Sequence, residues 1–341
     1  MSLNRYAAVT MLLLVGACSE TDPIEPEPEA ATLTVDARTT WAYVDLDETA
    51  TQVAVTDPGE STAWDIAFNA TRVMLNGGAA GPGGVEGYCV CQNAGATDAQ
   101  VQAMTPESEL ADFAAVTLAD TLTAAGDWTG DALDAAIAGW YAYDIQTHQV
   151  SADPSRTWLV RGAGAEPVYA KVRVTDIADA TQAGARVTIE YAVQPAAGEA
   201  LGAVQTVVLD GRTSPVYFDF ATNAVSDEGD WDIVLDGFTI RVNGGISGSG
   251  GAGAVLSGDA FAVIDDASAA ADAYRGDAYG GVFPAHPWYR YNLDGNHTIF
   301  PTFDVYLVRR ADEIYKVQLT GYYDTAGTAR YITFRYERLA S

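Results

Sequence analysis

Five blocks of the sequence occur twice in the same order, and this duplication constrains the fold more than any other feature. WDIAFNATRVMLNGG, Trp64 to Gly78, returns as WDIVLDGFTIRVNGG, Trp231 to Gly245. TTWAYVDLD at 39–47 precedes the first, and TSPVYFDFA at 213–221 precedes the second. GWYAYDIQTHQVSADPSRTWLVR at 139–161 answers PWYRYNLDGNHTIFPTFDVYLVR at 287–309. VYAKVRV around Lys171 answers IYKVQL around Lys316, and VTIEY ending at Tyr191 answers ITFRY ending at Tyr336. The chain's two lysines thus fall on matching positions. The offset is 167 residues between Trp64 and Trp231 but 148 between Trp140 and Trp288, so the first copy carries about 19 extra residues between its NGG and its WYxY. So long a period marks a duplicated domain, because solenoid repeats run roughly 20–50 residues. The two copies are placed at 33–198 and 203–341, joined near PAAGEALG.

Within each copy the apolar pattern has period two. AKVRV, RVTIEY, YKVQLTGYY and YITFRYE alternate apolar with polar residues and are rich in Val, Ile, Tyr, Phe and Thr, as half-buried antiparallel strands are. The NGG after each WDI block reads as a turn, since Asn and Gly tolerate positive φ, and the GGAAGPGG and GGISGSGGAG stretches read as loops. Short helices are expected at 131–139 (DALDAAIAG) and 265–274 (DDASAAADAY). The fold class is therefore all-β, mainly antiparallel with a few short helices, in two tandem domains.

The chain begins MSLNRYAAVTMLLLVGACS, with a positive charge at Arg5 and an apolar run of 12 residues from Tyr6 to Ala17. That run suits an export signal and is too short for a bilayer span, which needs about 20 residues. Val15-Gly16-Ala17-Cys18 resembles a bacterial lipobox, so residues 1–17 are expected to be a lipoprotein signal peptide and Cys18 the lipidated residue; the alternative is an ordinary secretory signal cut elsewhere. Ser19 after the cysteine points to the outer membrane by the same resemblance. Residues 18–32 form an acidic, proline-rich tether with almost nothing to bury.

The net charge of -28, from 18 Lys+Arg against 46 Asp+Glu, argues against nucleic acid and anionic lipid surfaces as partners. Any membrane attachment is expected through the lipid alone. With Cys18 lipidated, Cys89 and Cys91 in GYCVCQN remain. In an exported protein they form either a local disulfide or a pair of surface thiols. A soft-metal site would need more ligands, and no histidine lies near them in sequence.

The ordered set of blocks after a lipobox resembles the HmuY family of bacterial surface lipoproteins: WDIAF, the NGG turn, WYxY followed by a His and a Pro, then YLVR, YKVQLTGYY and YITFRYE. The resemblance covers almost all of the second copy and most of the first. It implies an all-β domain that binds haem at the outer membrane and passes it to a TonB-dependent receptor. The chain would then carry two HmuY-like domains on one anchor.

A haem carrier needs axial ligands, usually His or Met, and an apolar slot. The chain has three histidines. His148 and His297 stand eight and nine residues after Trp140 and Trp288, one in each copy, and are the first ligand candidates. His286 in FPAHPW is a second candidate in copy two, and Met104 in VQAMTPE, just before an expected helix start, is the counterpart in copy one; Met74 reads as core. Tyr141, Tyr143, Trp288, Tyr289, Tyr291 and Phe300 could line a porphyrin slot or stack on a sugar, but most suit ordinary sheet packing.

Other motifs fail on context. The GxGxxG at 248–253 does not open a helix, and Asn292, Asp294 and Asn296 lack the Gly and Glu of a calcium loop. Acidic pairs such as Asp45 and Asp47 are expected by chance in so acidic a chain, and no nucleophile and base set is visible. The expectation is a non-enzymatic haem-binding lipoprotein, with a haem-free surface adhesion or interaction module on the same β fold as the alternative.

Overall fold

The computed structural model describes residues 30–123, 126–270 and 272–339. The signal peptide, Cys18 and the tether as far as residue 29 lie outside the described residues. The first strand begins at Ala31, so the tether yields to the sheet two residues before the expected boundary. Among the described residues no helix is long and apolar enough to cross a membrane.

The alternating segments form antiparallel sheets, as their period requires. One five-stranded sheet has the order Ala31–Asp36, Ala329–Arg338, Glu313–Tyr323, Val305–Arg310, Glu86–Cys89. A second has the order Gln205–Asp210, Arg186–Gln194, Tyr169–Ala178, Trp158–Arg161, Gly253–Leu256. The two sheets place matching segments of the repeat in matching positions. Each is accompanied by a four-stranded sheet built around the WDI hairpin, Ile66–Asn69 with Arg72–Leu75 in one and Ile233–Asp236 with Thr239–Val242 in the other.

The sheets do not follow the copies. The first combines strands from the front half of copy one with strands from the back half of copy two, and the second does the reverse. Val35, Phe68 and Cys89 share a core with Val282, Tyr306 and Phe334, whereas the other main core lies entirely between Ala136 and Ala254. The units 33–198 and 203–341 are thus units of sequence, while the cores divide where the chain crosses over. At that crossing Ala132–Asp134 pairs antiparallel with Ala278–Gly280, with Leu133 opposite Tyr279.

The repeated WDI and NGG blocks fasten each crossing. The hairpin turn falls within the block, at Ala70 (φ 52°) and Gly237 (φ 60°), and the NGG follows the second strand. The expectation of a simple turn at NGG is corrected by what its residues touch. Asn76 is fully buried; its Nδ2 donates to the Trp64 carbonyl at 2.7 Å and its Oδ1 accepts from Gly83 N at 3.0 Å, and Asn243 bonds Trp231 and Gly250 in the same way. A Cβ on Gly77 would lie 2.0 Å from the Val85 carbonyl oxygen, and one on Gly244 1.9 Å from that of Ala252. The next glycine, Gly78, has φ 62° and lies against Asp131, as Gly245 (φ 70°) lies against Asp277.

Among the described residues four short helices occur: α1 Asp98–Ala103, α2 Leu110–Ala115, α3 Leu118–Thr123 and α4 Val282–Ala285. None falls where the sequence suggested. At 131–139 pairing at the crossing overrides the alanine-rich helix preference. At 265–274 the described residues form turns, pinned by Asp266 accepting from Ser268 N and by Gln194 accepting from Ala267 N. α1 begins at a capping box between Thr97 and Gln100. Met104 is the cap at its end rather than a residue preceding a helix start.

Candidate functional site

The two WYxY segments each open a two-stranded hairpin that carries a histidine. Tyr141–Asp144 pairs with Gln149–Ala152, and Tyr289–Tyr291 pairs with Ile299–Pro301. The Trp of each segment is core, at 1% exposure for Trp140 and 2% for Trp288, whose indole N–H donates to the Thr71 carbonyl at 2.9 Å. The first tyrosine packs edge-on against that Trp, with centroids 4.7 Å apart for Trp140 and Tyr141 and 5.2 Å for Trp288 and Tyr289. The second tyrosine faces solvent beside the histidine.

Both histidines adopt the left-handed backbone region, with φ 56° at His148 and 60° at His297. Such a conformation costs a non-glycine residue about 1–3 kcal/mol and persists only where the loop enforces it. In the first hairpin Asp144 accepts from Gln146 N and Thr147 N, bonds that hold its pKa below the usual carboxylate value. In the second Asn292 accepts from His297 N at 2.7 Å, and Asp294, its pKa likewise lowered by the Asn296 N–H, accepts from Asn296 and Thr298. Asn292, Asp294 and Asn296, which have the spacing of the first half of a calcium loop, form a turn here.

The geometry around the two rings is the same. Tyr143 Oη lies 2.6 Å from His148 Nδ1, and Tyr291 Oη lies 2.5 Å from His297 Nδ1. Donor and acceptor in this bond depend on the tautomer; in the form with Nδ1–H donated to the tyrosine oxygen, Nε2 carries the lone pair, the arrangement by which outer partners orient metal-binding imidazoles. The donor set, an imidazole with an oriented ring beside exposed aromatic surface, fits a haem iron. His148 also lines an open cavity of about 620 Å³ with Tyr141, Tyr143, Val150, Thr181 and Phe238. Phe238 comes from the WDI hairpin of copy two, so the crossing completes the wall.

The other candidates lie elsewhere. His286 caps α4 and lines a separate cavity with Cys89 and Cys91, which are joined as a disulfide. α1, which ends at Met104, packs on the hairpin of His297 rather than serving copy one's own histidine: Gln102 Nε2 donates to the Leu293 carbonyl at 2.7 Å and Arg290 pairs with Asp98 at 2.8 Å. Met74 is buried with Trp64, as expected for core.

Sequence reasoning missed the buried carboxylates of the repeated WD and GDA motifs. Asp65 accepts from Leu46 N and pairs with Arg310 at 3.0 Å, and Asp232 accepts from Ala163 N and Phe220 N. Asp131 accepts from Leu75 N, and Asp277 from Ala136 N and Val242 N. Burial raises all four pKa values, to about 6 for Asp65 and about 7 for Asp131. Their partners are mainly backbone amides, so they staple strands. The recurrence of WD and GDA in both copies was the available signal.

Comparison with known proteins adds a family. No curated protein matches the chain. Among solved structures, a lipoprotein candidate from Bacteroides fragilis NCTC 9343 is 18% identical, with a TM-score of 0.17 over 36% of this chain and 80% of that one. An HmuY-like haem-binding candidate from Bacteroides vulgatus ATCC 8482 is 16% identical, with a TM-score of 0.16 over 36% of this chain and 83% of that one. The model of the HmuY protein family matches residues 37–191, a stretch that runs through both cores. Over those residues the chain is similar to the HmuY family.

Proposed function

We propose that this protein is a non-catalytic, lipid-anchored protein of the outer membrane that captures haem or a related tetrapyrrole through His148 and His297. The observation that carries this reading is the pair of matched hairpin tips, each offering an imidazole whose Nδ1 is engaged by a tyrosine hydroxyl. The match of residues 37–191 to the HmuY family model supports it independently. Tyr143 and Tyr291, exposed at 54% and 55%, supply ring surface beside each imidazole, and stacking a porphyrin on them would recover apolar area now in water. Met104 stands at the end of the helix on the His297 hairpin and is the second-ligand candidate there. A TonB-dependent receptor would take the ligand onward.

Hemin titration of the 30–341 chain tests the reading, followed by the Soret band under oxidising and reducing conditions. A shifted Soret band that is lost in the His148→Ala/His297→Ala double variant supports it. No shift in either state, or a shift that the double variant keeps, overturns it.

A further inference from the structure

The chain's crossover brings His286 to a cysteine pair, Cys89 and Cys91, from which the sequence keeps it far apart. Cys89 lies on the strand Glu86–Cys89, whose neighbour is Val305–Arg310, with Cys89 opposite Tyr306. Tyr306 is fully buried, and its hydroxyl donates to the His286 carbonyl at 2.6 Å. α4, which His286 caps, packs over the same strand; a Cβ on Gly87 would lie 2.5 Å from Val282 Cγ1. His286 N closes the helix on the Val282 carbonyl at 2.9 Å. The result is a cluster in which the two cysteine sulfurs and a ring nitrogen of His286 all lie within 4.8 Å of one another.

We propose that Cys89, Cys91 and His286 form a redox-gated binding site for a thiophilic d10 metal ion, cuprous copper or zinc. In the oxidised protein the sulfurs are bonded to each other, so the site is closed. A dithiol donor opens it: two electrons and two protons pass to the Cys89–Cys91 bond, giving two thiols, while the donor becomes a disulfide. Metal binding then displaces both thiol protons and forms two metal–sulfur bonds and one metal–nitrogen bond. The ligand set is soft sulfur plus imidazole, which selects such ions over magnesium or calcium.

The geometry needs only a small rearrangement. Metal–sulfur bonds of about 2.3 Å in a tetrahedral arrangement place two sulfurs about 3.7 Å apart. The Cα atoms of Cys89 and Cys91 are 5.0 Å apart, which accommodates that opening by side-chain rotation. His286 is already within reach and is held by its backbone, leaving the ring free to turn. Access is provided by an open cavity of about 670 Å³ beside the cluster, lined also by Asp127.

A purely stabilising role for the disulfide accounts poorly for the arrangement. A bond between residues two apart closes almost no loop and so removes little entropy from the unfolded chain. Cys91 also sits at φ 55°, a region that a non-glycine residue enters at a cost. Copy two lacks the cysteine pair, and copy one has Ala138 where copy two carries His286, two residues before its WYxY. Among the described residues the site therefore occurs once, assembled from both copies by the crossing.

The test uses the 30–341 chain, reduced with a phosphine and freed of reductant without oxygen. It is titrated separately with cuprous ion buffered by a chromophoric chelator and with zinc against a fluorescent competitor. The expected result is one ion bound per reduced chain and none per oxidised chain, with His286→Ala weakening binding at least tenfold and Cys91→Ser abolishing it. Preference for one ion identifies the physiological metal class. His286 is exposed, so its alanine variant should keep the wild-type circular dichroism spectrum. A reduced chain that binds neither ion, an oxidised chain that binds equally well, or a folded His286→Ala variant with unchanged affinity overturns the proposal.

Discussion

Lys171 and Lys316 hold opposite copies of the repeat. The ammonium of Lys171 in copy one donates to the carbonyls of Phe261 and Ile264 in copy two, at 2.9 and 2.8 Å. That of Lys316 in copy two donates to the carbonyls of Phe113 and Val116 in copy one, at 3.2 and 3.3 Å. Each also lies over a phenylalanine ring, Phe261 or Phe113. Both side chains are buried, so removing the ammonium leaves carbonyls without a donor, at a cost of about 1–3 kcal/mol per group. Lys316→Met is therefore expected to lower stability by about 2–4 kcal/mol in urea unfolding, and Lys171→Met by a similar amount. A change within about 0.5 kcal/mol in both variants would show that these bonds contribute nothing net.

The division of the cores predicts which fragments fold. A fragment of residues 126–277 contains every residue of the core between Ala136 and Ala254, together with the Asp277 staple to Ala136 and Val242. It should give a cooperative melt and a near-UV circular dichroism signal from its buried Trp140 and Trp158. A fragment of residues 33–198, a whole copy of the repeat, lacks the back half of one core and the front half of the other. It should melt without cooperativity. The opposite result, with 33–198 cooperative and 126–277 not, would return the cores to the copies.

The strands were legible because period two is a local property, and so was the pairing of His148 with His297. Which halves pack together was not legible. Both copies present the same pattern at the same edges, so Ala31–Asp36 could pair with Arg186–Gln194 as well as with Ala329–Arg338 on alternation alone. The choice is made by contacts between residues hundreds of positions apart, such as Arg310 with Asp65. The tyrosine partners of the histidines were visible as the last residue of WYxY but had no assigned role, because spacing alone does not bring Tyr291 to His297. His286 beside Cys89 and Cys91 was invisible for the same reason, being a product of the crossing.

If the hairpin imidazoles ligate iron, their tyrosines should tune them. Tyr143→Phe and Tyr291→Phe keep the ring surface and remove only the oxygen near Nδ1. Losing such an outer partner typically weakens metal affinity about 10–100-fold. The double Phe variant is expected to bind hemin at least tenfold more weakly with the Soret maximum retained, measured by competition with a haem-binding reference protein. Unchanged affinity would mean that the hydroxyls serve only the turn.

Asp131 makes stability fall as pH rises toward neutrality. Burial lifts its pKa from 3.8 to about 7, opposed only by the Leu75 N–H that donates to Oδ2, while Oδ1 is buried with no partner among the described residues. Between about pH 4 and 7 the unfolded chain has lost this proton and the folded chain keeps it. Unfolding therefore releases a proton, and stability declines with pH by about 1.4 kcal/mol per unit from this group. Asp65, Asp232 and Asp277, also raised by burial, act in the same direction. Asp131→Asn keeps an acceptor for Leu75 and removes the titration. Urea unfolding at intervals from pH 4 to 8 should show a shallower decline in the variant, by about 1 kcal/mol per unit or more across that window. Equal slopes in the two proteins would place the Asp131 pKa near its ordinary value.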